Sequence, residues 1–183
     1  DPAPFLYFVS HSDPGLVEAI RRGRAEEFKS FNWNTDPPDA FAEETFNCCI
    51  INPELRYQGQ HRVLYDYYQT LLRLRRSLPA LTTANRADIR VTGYEREQVI
   101  VLHRRAGHSE TLLIFNIHAE QTAELLPALP AGRWQKRLDT TEPRWQTDGN
   151  SQPAAYPDEL DTAARTPITL PPKTRALYEK RQD

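Results

Sequence analysis

The chain has 183 residues, of which 39% are hydrophobic and 10% aromatic, so it is long enough to bury a core and is not disordered throughout. Its formal net charge of −2 gives no concentrated positive field for nucleic acid or for an anionic membrane surface. No apolar run approaches the roughly 20 residues that span a bilayer. We therefore expect neither a nucleic-acid partner nor a membrane contact.

The two cysteines, Cys48 and Cys49, are adjacent. Neighbouring residues rarely form a disulfide because the intervening peptide would be strained, so we interpret them as free thiols of a reducing, cytoplasmic compartment. The five histidines show no metal-ligand spacing with them, and we expect neither a metal nor a cofactor. Methionine is absent, even at position 1, which suggests a piece of a longer protein.

The chain opens on an apolar run, Phe5 to Val9, which is typical of a strand buried on both faces. Ser12 and Asp13 can cap a helix, and Pro14 suits its first position, so we predict a helix from Pro14 to about residue 31. A strand, a polar turn and a helix form a βα unit, whose turn commonly carries function.

The first predicted helix contains the run RRGR at positions 21–24, followed by Glu26 and Glu27. Because opposite charges lie close together, the pattern favours a solvated, self-neutralised face over a binding patch. A polar, proline-bearing loop follows, in which Trp33 and Phe41 are candidate anchors.

A second helix is predicted from Gln60 to about Ser77, with arginines in its last turn and Pro79 as its stop. Tyrosines 65, 67 and 68 resemble a sugar-stacking platform, but at helical spacing such rings are more often core and rim residues. Its broad apolar face is made by Leu64, Tyr67, Tyr68, Leu71, Leu72 and Leu74.

After residue 81 the period becomes strand-like. Four strand candidates lie within residues 87–95, 98–105, 110–118 and 132–140, and two more lie within 167–180. We interpret the polar stretch 141–166 as an extended surface loop. Short strands with no helix between them predict an antiparallel β-sandwich that begins between residues 82 and 87.

The residues alone define no catalytic site. P-loop, GxSxG, GxGxxG and HExxH motifs are absent, and a glycosidase carboxylate pair cannot be recognised from spacing because its members meet only in space. His11 is the best-placed polar side chain if the preceding strand ends at a cleft. The alternative is a structural histidine with satisfied hydrogen bonds.

Three stretches carry a family resemblance: PFLYFVSHSDPGLVEAIRRGRAEEF, then the pair Thr45 and Phe46, then QHRVLYDYYQTLLRLRRSLPAL. Together they resemble the C-terminal part of the malto-oligosyltrehalose trehalohydrolase family, within the α-amylase superfamily. The ending LRRSLPAL resembles many amylase-type and branching enzymes, so it identifies the superfamily better than the member.

The resemblance implies an α+β fragment: residues 1–81 as the C-terminal, mainly helical end of a catalytic (β/α)8 barrel, and residues 82–183 as an antiparallel β-sandwich of the amylase C-terminal type. In this superfamily three carboxylates carry the reaction, and all should precede Asp1. We therefore assign no catalytic residue here and expect the fragment alone to be inactive. The intact enzyme is expected to release trehalose by cleaving the adjacent α-1,4 bond of maltooligosyl trehalose with retention.

The resemblance also places the segment 4–11 just after the eighth barrel strand, so Tyr7, Phe8 and His11 are candidate substrate-binding residues for a maltooligosaccharide-type substrate. The sequence departs from the family where a Lys and a Trp give way to Ile50 and Pro53. Because its helices need a partner sheet, the isolated fragment is expected to self-associate or to be partly disordered before Thr82.

The sequence leaves two alternative functions open. The first is a carbohydrate-binding or structural β module in which Trp134, Trp145 and Tyr156 stack on sugars. The second is the tail of a glycogen branching enzyme or a maltogenic amylase.

Overall fold

The computed structural model describes residues 3–31, 37–83, 85–125, 129–146, 155–162 and 167–182. The chain divides into two compact units, residues 1–58 and residues 59–183. We describe each unit by itself.

The first unit is helical. Helix α1 spans Pro14–Ser30, and the Asp13 carboxylate caps it by accepting a hydrogen bond of 2.8 Å from the Gly15 N–H. Helix α2 spans Glu43–Cys48, and a 3-10 turn spans Pro53–Tyr57. The cap and the bounds of α1 confirm the helix predicted from the sequence.

The predicted strand from Phe5 to Val9 is wrong for this chain. The segment is irregular, the Phe5 side chain is fully exposed, and one backbone bond of 2.9 Å from the Val9 N–H to the Ala40 carbonyl joins it to the rest of the unit. A strand needs a neighbour for its N–H and C=O groups, and the described part of this unit contains no strand to pair with.

The second unit combines two helices with two antiparallel sheets. Helix α3 spans Gly59–Ser77 and helix α4 spans Pro79–Thr82, followed by a 3-10 turn at Arg86–Asp88. The bounds of α3 confirm the second predicted helix. The strands are β1 (Ile89–Tyr94), β2 (Val99–Ala106), β3 (Ser109–Asn116), β4 (Ala123–Leu125), β5 (Arg133–Asp139), β6 (Glu159–Asp161), β7 (Ile168–Leu170) and β8 (Arg175–Lys180).

The larger sheet has six strands in the order β1-β2-β3-β8-β5-β6, and the smaller sheet pairs β4 with β7. All pairs are antiparallel. The six predicted strands correspond to β1, β2, β3, β5, β7 and β8. The predicted loop 141–166 instead contains β6 and a 3-10 turn, Pro143–Trp145, within its described residues.

The six-stranded sheet has an apolar core on each face. On one face β4 and β7 join its large side chains in a single cluster that includes Leu112, Trp134, Leu170 and Tyr178. The other face is covered from α3, α4 and the 3-10 turn after β5. This second cluster consists of Leu78, Leu138 and Leu177 with Tyr67, Leu71, Leu74, Leu81, Leu113 and Trp145 at its edge.

Because of a β-bulge in β5, this strand contributes side chains to both apolar cores. The register against β8 shifts between Lys136 and Leu138, so Trp134 points into the first core and Leu138 into the second. In a regular strand residues 134 and 138 would share a face, because side chains alternate with period two.

Helix α3 lies in the same compact unit as the sheet, because its inner side chains Tyr67, Leu71 and Leu74 pack on the second core. The division between the units at residue 58 differs from the predicted domain boundary after residue 81. The assignment of residues 1–81 to a barrel and 82–183 to a β domain stays a prediction.

Candidate functional site

Arg24, the last arginine of the RRGR run, contacts the segment before α1. Arg24 lies between two rings, with its guanidinium carbon 5.0 Å from the Tyr7 ring centroid and 5.2 Å from that of Phe28. Its Nη1 donates to the Glu27 carboxylate at 3.0 Å. Its Nε is buried and has no hydrogen-bond acceptor among the described residues. Cation–π contact therefore dominates the surroundings of this arginine.

Arg21, one turn earlier on the same face of α1, binds the Asp39 carboxylate through two hydrogen bonds, Nε to Oδ1 at 3.1 Å and Nη2 to Oδ2 at 2.8 Å. Its guanidinium also lies 5.4 Å from the Phe41 ring, which in turn lies 6.4 Å from the His11 ring. The Arg21 hydrogen bonds and the Phe41 N–H lower the pKa of Asp39, which holds this carboxylate in its charged form.

Phe8 faces α2. Its ring meets that of Phe46 edge to face at a centroid distance of 5.2 Å. The neighbouring Thr45 is buried and donates its hydroxyl to the Asp39 carbonyl at 2.6 Å. The Thr45–Phe46 pair, which supplied part of the family resemblance, thus anchors both the opening segment and the loop at Asp39.

These contacts border a groove of about 290 Å³, lined by Arg21, Arg24, Ala25 and the segment 37–40. The three candidate substrate-binding residues stand around this part of the unit. Tyr7 and Phe8 are 47% and 45% exposed, and His11 is also exposed. Each is held by a different aromatic or cationic neighbour. Their place at a substrate cleft stays a prediction.

The interpretation of RRGR as a self-neutralised, solvated face is incomplete, because two of its three arginines have partners distant in sequence. Arg21 pairs with Asp39, eighteen residues away, and Arg24 contacts Tyr7, which precedes the helix. Only the Arg24–Glu27 bond follows the local charge pattern that the sequence indicated. Long-range partners of this kind leave no signal in helical charge spacing.

The sheet domain contains a second polar cluster that the sequence did not predict. The Glu110 carboxylate bonds His103 Nε2 at 2.9 Å and accepts from Lys180 Nζ at 2.8 Å. Burial would raise the pKa of Glu110, but the bonds from Lys180 and His103 outweigh it and lower the pKa. Lys180 Nζ also lies 5.7 Å from the buried Trp134 ring. Gly132 lies beside Lys180 and has a φ of +147°, a backbone conformation that L side chains rarely adopt, so glycine is favoured there.

Next to this cluster lies a groove of about 420 Å³. It is lined by Ala87, Asp88, Arg90, Thr92, Val101, His103, Arg105, Leu112, Leu129 and Pro130. The strand register explains the cluster, since Glu110 pairs with Arg105 across the β2–β3 turn, which places it diagonally from His103 on the same face. The short AGHS turn between the predicted strands was the one signal from which this pairing could have been found.

Asp139 is a fully buried carboxylate at the end of β5. Its Oδ1 accepts from the Thr141 N–H at 2.8 Å and from the Thr141 hydroxyl at 2.6 Å. Its Oδ2 accepts from the Tyr156 N–H at 3.3 Å and from Lys136 Nζ at 3.4 Å. These contacts join the end of β5 to the turn at Thr141 and to the segment at Tyr156, so the role of Asp139 is structural.

The rings proposed as sugar-stacking residues of a β module do not form an exposed platform. Trp134 and Tyr156 are 0% and 2% exposed in the first core. Trp145 packs against Tyr67, with ring centroids 5.2 Å apart, and Arg144 covers it at 4.4 Å. Sugar stacking needs an accessible ring face, which these positions lack.

Among the described residues no group of three or more His, Cys, Asp or Glu side chains could hold a metal ion. Nor does any helix in those ranges combine the length and the apolar character needed to cross a bilayer. Cys48 and Cys49 are free thiols.

A crystal structure from Salmonella typhimurium, assigned to the α-amylases, shares this fold. It aligns with 98% of this chain and 26% of its own, with a TM-score of 0.66 and 22% identity. No family model matches the chain. The antiparallel sheet domain is consistent with the C-terminal β domain of amylases.

Curated relatives match the chain in sequence. A relative from Mycobacterium tuberculosis (strain CDC 1551 / Oshkosh) is 31% identical over 121 residues, 66% of this chain and 20% of its own. One from Deinococcus radiodurans is 32% identical over 143 residues, 77% of this chain and 23% of its own. The fold is therefore shared with part of an amylase-type structure, and the sequence is similar to part of each of these relatives.

Both relatives are malto-oligosyltrehalose trehalohydrolases. The resemblance to that family, first seen in the stretches around HSDP, RRGR and LRRSLPAL, is confirmed. The chain spans about a fifth of the length of the relatives it matches.

Proposed function

We propose that this chain is the C-terminal part of a glycoside hydrolase that releases trehalose from maltooligosyl trehalose by hydrolysing the adjacent α-1,4-glucosidic bond. The observation that carries the proposal is its relatedness to malto-oligosyltrehalose trehalohydrolases over two thirds to three quarters of its length. In this proposal residues 1–81 complete the catalytic (β/α)8 barrel and the β domain covers it.

The two faces of α3 support this structural role. Its inner side chains pack on the sheet. Its outer side chains Leu64, Tyr68 and Leu72, spaced four residues apart, are 52%, 59% and 54% exposed. A stripe of apolar side chains over three turns indicates a surface that another layer covers. In the intact enzyme that layer would be the rest of the barrel.

The reaction itself would use carboxylates that precede this chain. Two carboxyl groups on either side of the scissile bond, about 5 Å apart in retaining enzymes, would act as nucleophile and as acid/base. We assign no catalytic role to any residue here. Tyr7, Phe8 and His11 would border the cleft and contact the sugar chain, since exposed rings and a nearby imidazole suit the apolar faces and hydroxyls of glucose units.

We further propose that the parent enzyme works in the cytoplasm. Cys48 and Cys49 are free thiols, and Cys48 is exposed. Exposed thiols persist where the compartment is reducing.

The product of the intact enzyme tests the proposal. The full-length protein is incubated with maltotriosyl trehalose, and with maltopentaose as a matched substrate without a trehalose end. We expect trehalose and maltotriose from the first and slow cleavage or none of the second. The 183-residue chain alone should hydrolyse neither. Equal cleavage of both substrates without trehalose would indicate an ordinary amylase and would overturn the proposal.

A further inference from the structure

We propose that Arg24 is a positioning residue that fixes the Tyr7 ring at the edge of the substrate cleft. The inference rests on the proposed function, because it takes Tyr7 as a ring that contacts substrate. It gives the RRGR run a role that the local charge pattern did not indicate.

Arg24 contacts the Tyr7 ring and connects it to helix α1. Its guanidinium lies between Tyr7 and Phe28 at 5.0 and 5.2 Å, and Phe28 belongs to the same helix. Arg24 therefore joins the irregular segment to a rigid element. Its own orientation is set by the bond to Glu27 at 3.0 Å, one turn further along. The side chain is 29% exposed, so the cation is partly withdrawn from water, where ring contacts are strongest.

Few other interactions hold the segment around Tyr7. The segment has no strand partner in the described part of the unit, and Phe8 turns to Phe46 rather than to α1. Nearby, the Val9 N–H donates to the Ala40 carbonyl at 2.9 Å. Half of the Tyr7 surface is exposed. The direction of the ring therefore depends mainly on the guanidinium beside it.

Arginine suits this task better than lysine. Its flat, delocalised cation can stack between two rings while its N–H groups reach a carboxylate, whereas an ammonium group is a strongly hydrated point charge. Arg22, two residues away on α1, is exposed and makes no ion pair or ring contact among the described residues. It offers a matched control with the same charge on the same helix.

The test is a double-mutant cycle in the full-length enzyme with maltotriosyl trehalose as substrate. The variants are Tyr7→Ala, Arg24→Ala, the double variant, Arg24→Lys and the control Arg22→Ala. A ring that binds ground state and transition state alike changes KM and leaves kcat unchanged. We expect Arg24→Ala to raise KM about 3- to 10-fold, the size of a lost cation–ring contact.

The double variant should show the KM of Tyr7→Ala alone, because Arg24 acts through that ring. The KM of Arg24→Lys should lie between those of wild type and Arg24→Ala, and the KM of Arg22→Ala should equal that of wild type. Thermal unfolding of each variant separates a positioning role of Arg24 from a purely structural role, which would lower Tm and leave KM unchanged.

Two results would overturn the proposal, and they differ from each other. In the first result the wild type releases trehalose, but the effects of Tyr7→Ala and Arg24→Ala on KM multiply, or Arg24→Ala leaves KM unchanged. Arg24 then does not position Tyr7, and the proposed function stands. If the wild type releases no trehalose, the proposed function itself fails and the inference fails with it.

Discussion

Replacing Asp139 by alanine should destabilise the sheet domain severely. The substitution removes the only carboxylate that the backbone N–H groups of Thr141 and Tyr156 bond in the described structure, and it removes one of the partners of Lys136. Each buried N–H left without an acceptor costs about 1–2 kcal/mol, and Lys136 keeps the Asp158 carboxylate at 2.9 Å and the Tyr156 carbonyl at 2.7 Å. For the two N–H groups together the expected loss is therefore about 2–4 kcal/mol.

Urea unfolding of the chain, followed by tryptophan fluorescence, measures this loss, because Trp134 is buried in the adjacent core. Asp158→Ala is the matched control: this carboxylate bonds the same lysine but is 84% exposed, so its removal should change the unfolding free energy far less. A loss for Asp139→Ala no larger than that for Asp158→Ala would show that the buried network does not hold the loops.

Three further predictions concern charge, burial and the exposed helix face. The pKa of Glu110 is lower in the folded chain than in the unfolded one. The Glu110 carboxylate therefore stabilises the folded chain above its unfolded pKa of about 4.3, and this stabilisation is lost as the pH falls. Glu110→Gln should make the unfolding free energy depend less on pH in the acid range. Burial raises the pKa of Tyr156 to about 12, so stability should fall as the pH rises from 10 towards 12, and Tyr156→Phe should reduce that fall over the same pH range. The isolated chain should self-associate through the outer face of α3, and Leu64→Glu with Leu72→Glu should shift it towards monomer in sedimentation velocity, whereas Val91→Glu, at another exposed apolar site, should not.

The two long helices, α1 and α3, and most strands could be predicted because their signals are local, whereas the short helices α2 and α4 were not predicted. Asp13 and Pro14 mark the start of α1, alternating apolar residues mark β1, and short apolar runs mark β2 and β3. Strands β4 and β6 were missed, and each has three residues, which is too few to show a period; β7 is as short, but it lies in the longer stretch 167–180 that was predicted as a whole.

The candidate site was harder to predict because it depends on contacts between distant residues. A sequence shows that Arg21 is near Glu26, but not that Asp39 returns to it or that Arg24 meets Tyr7. The run from Phe5 to Val9 has the composition of a buried strand, but strand formation requires partners that the described part of this unit lacks.

The same limit applies to the aromatic residues of the β domain. Trp134 and Tyr156 have the composition of either a core or a sugar platform, and only the fold shows that they are core. The family resemblance succeeded because it depended on whole stretches of sequence rather than on a single motif.

The products of the intact enzyme on maltotriosyl trehalose, followed over time by proton NMR, test the central claim most directly. The account predicts trehalose and maltotriose in equal amounts, with the α-anomer of maltotriose appearing first because the mechanism retains configuration. Release of glucose or maltose without trehalose, or of the β-anomer first, would contradict it.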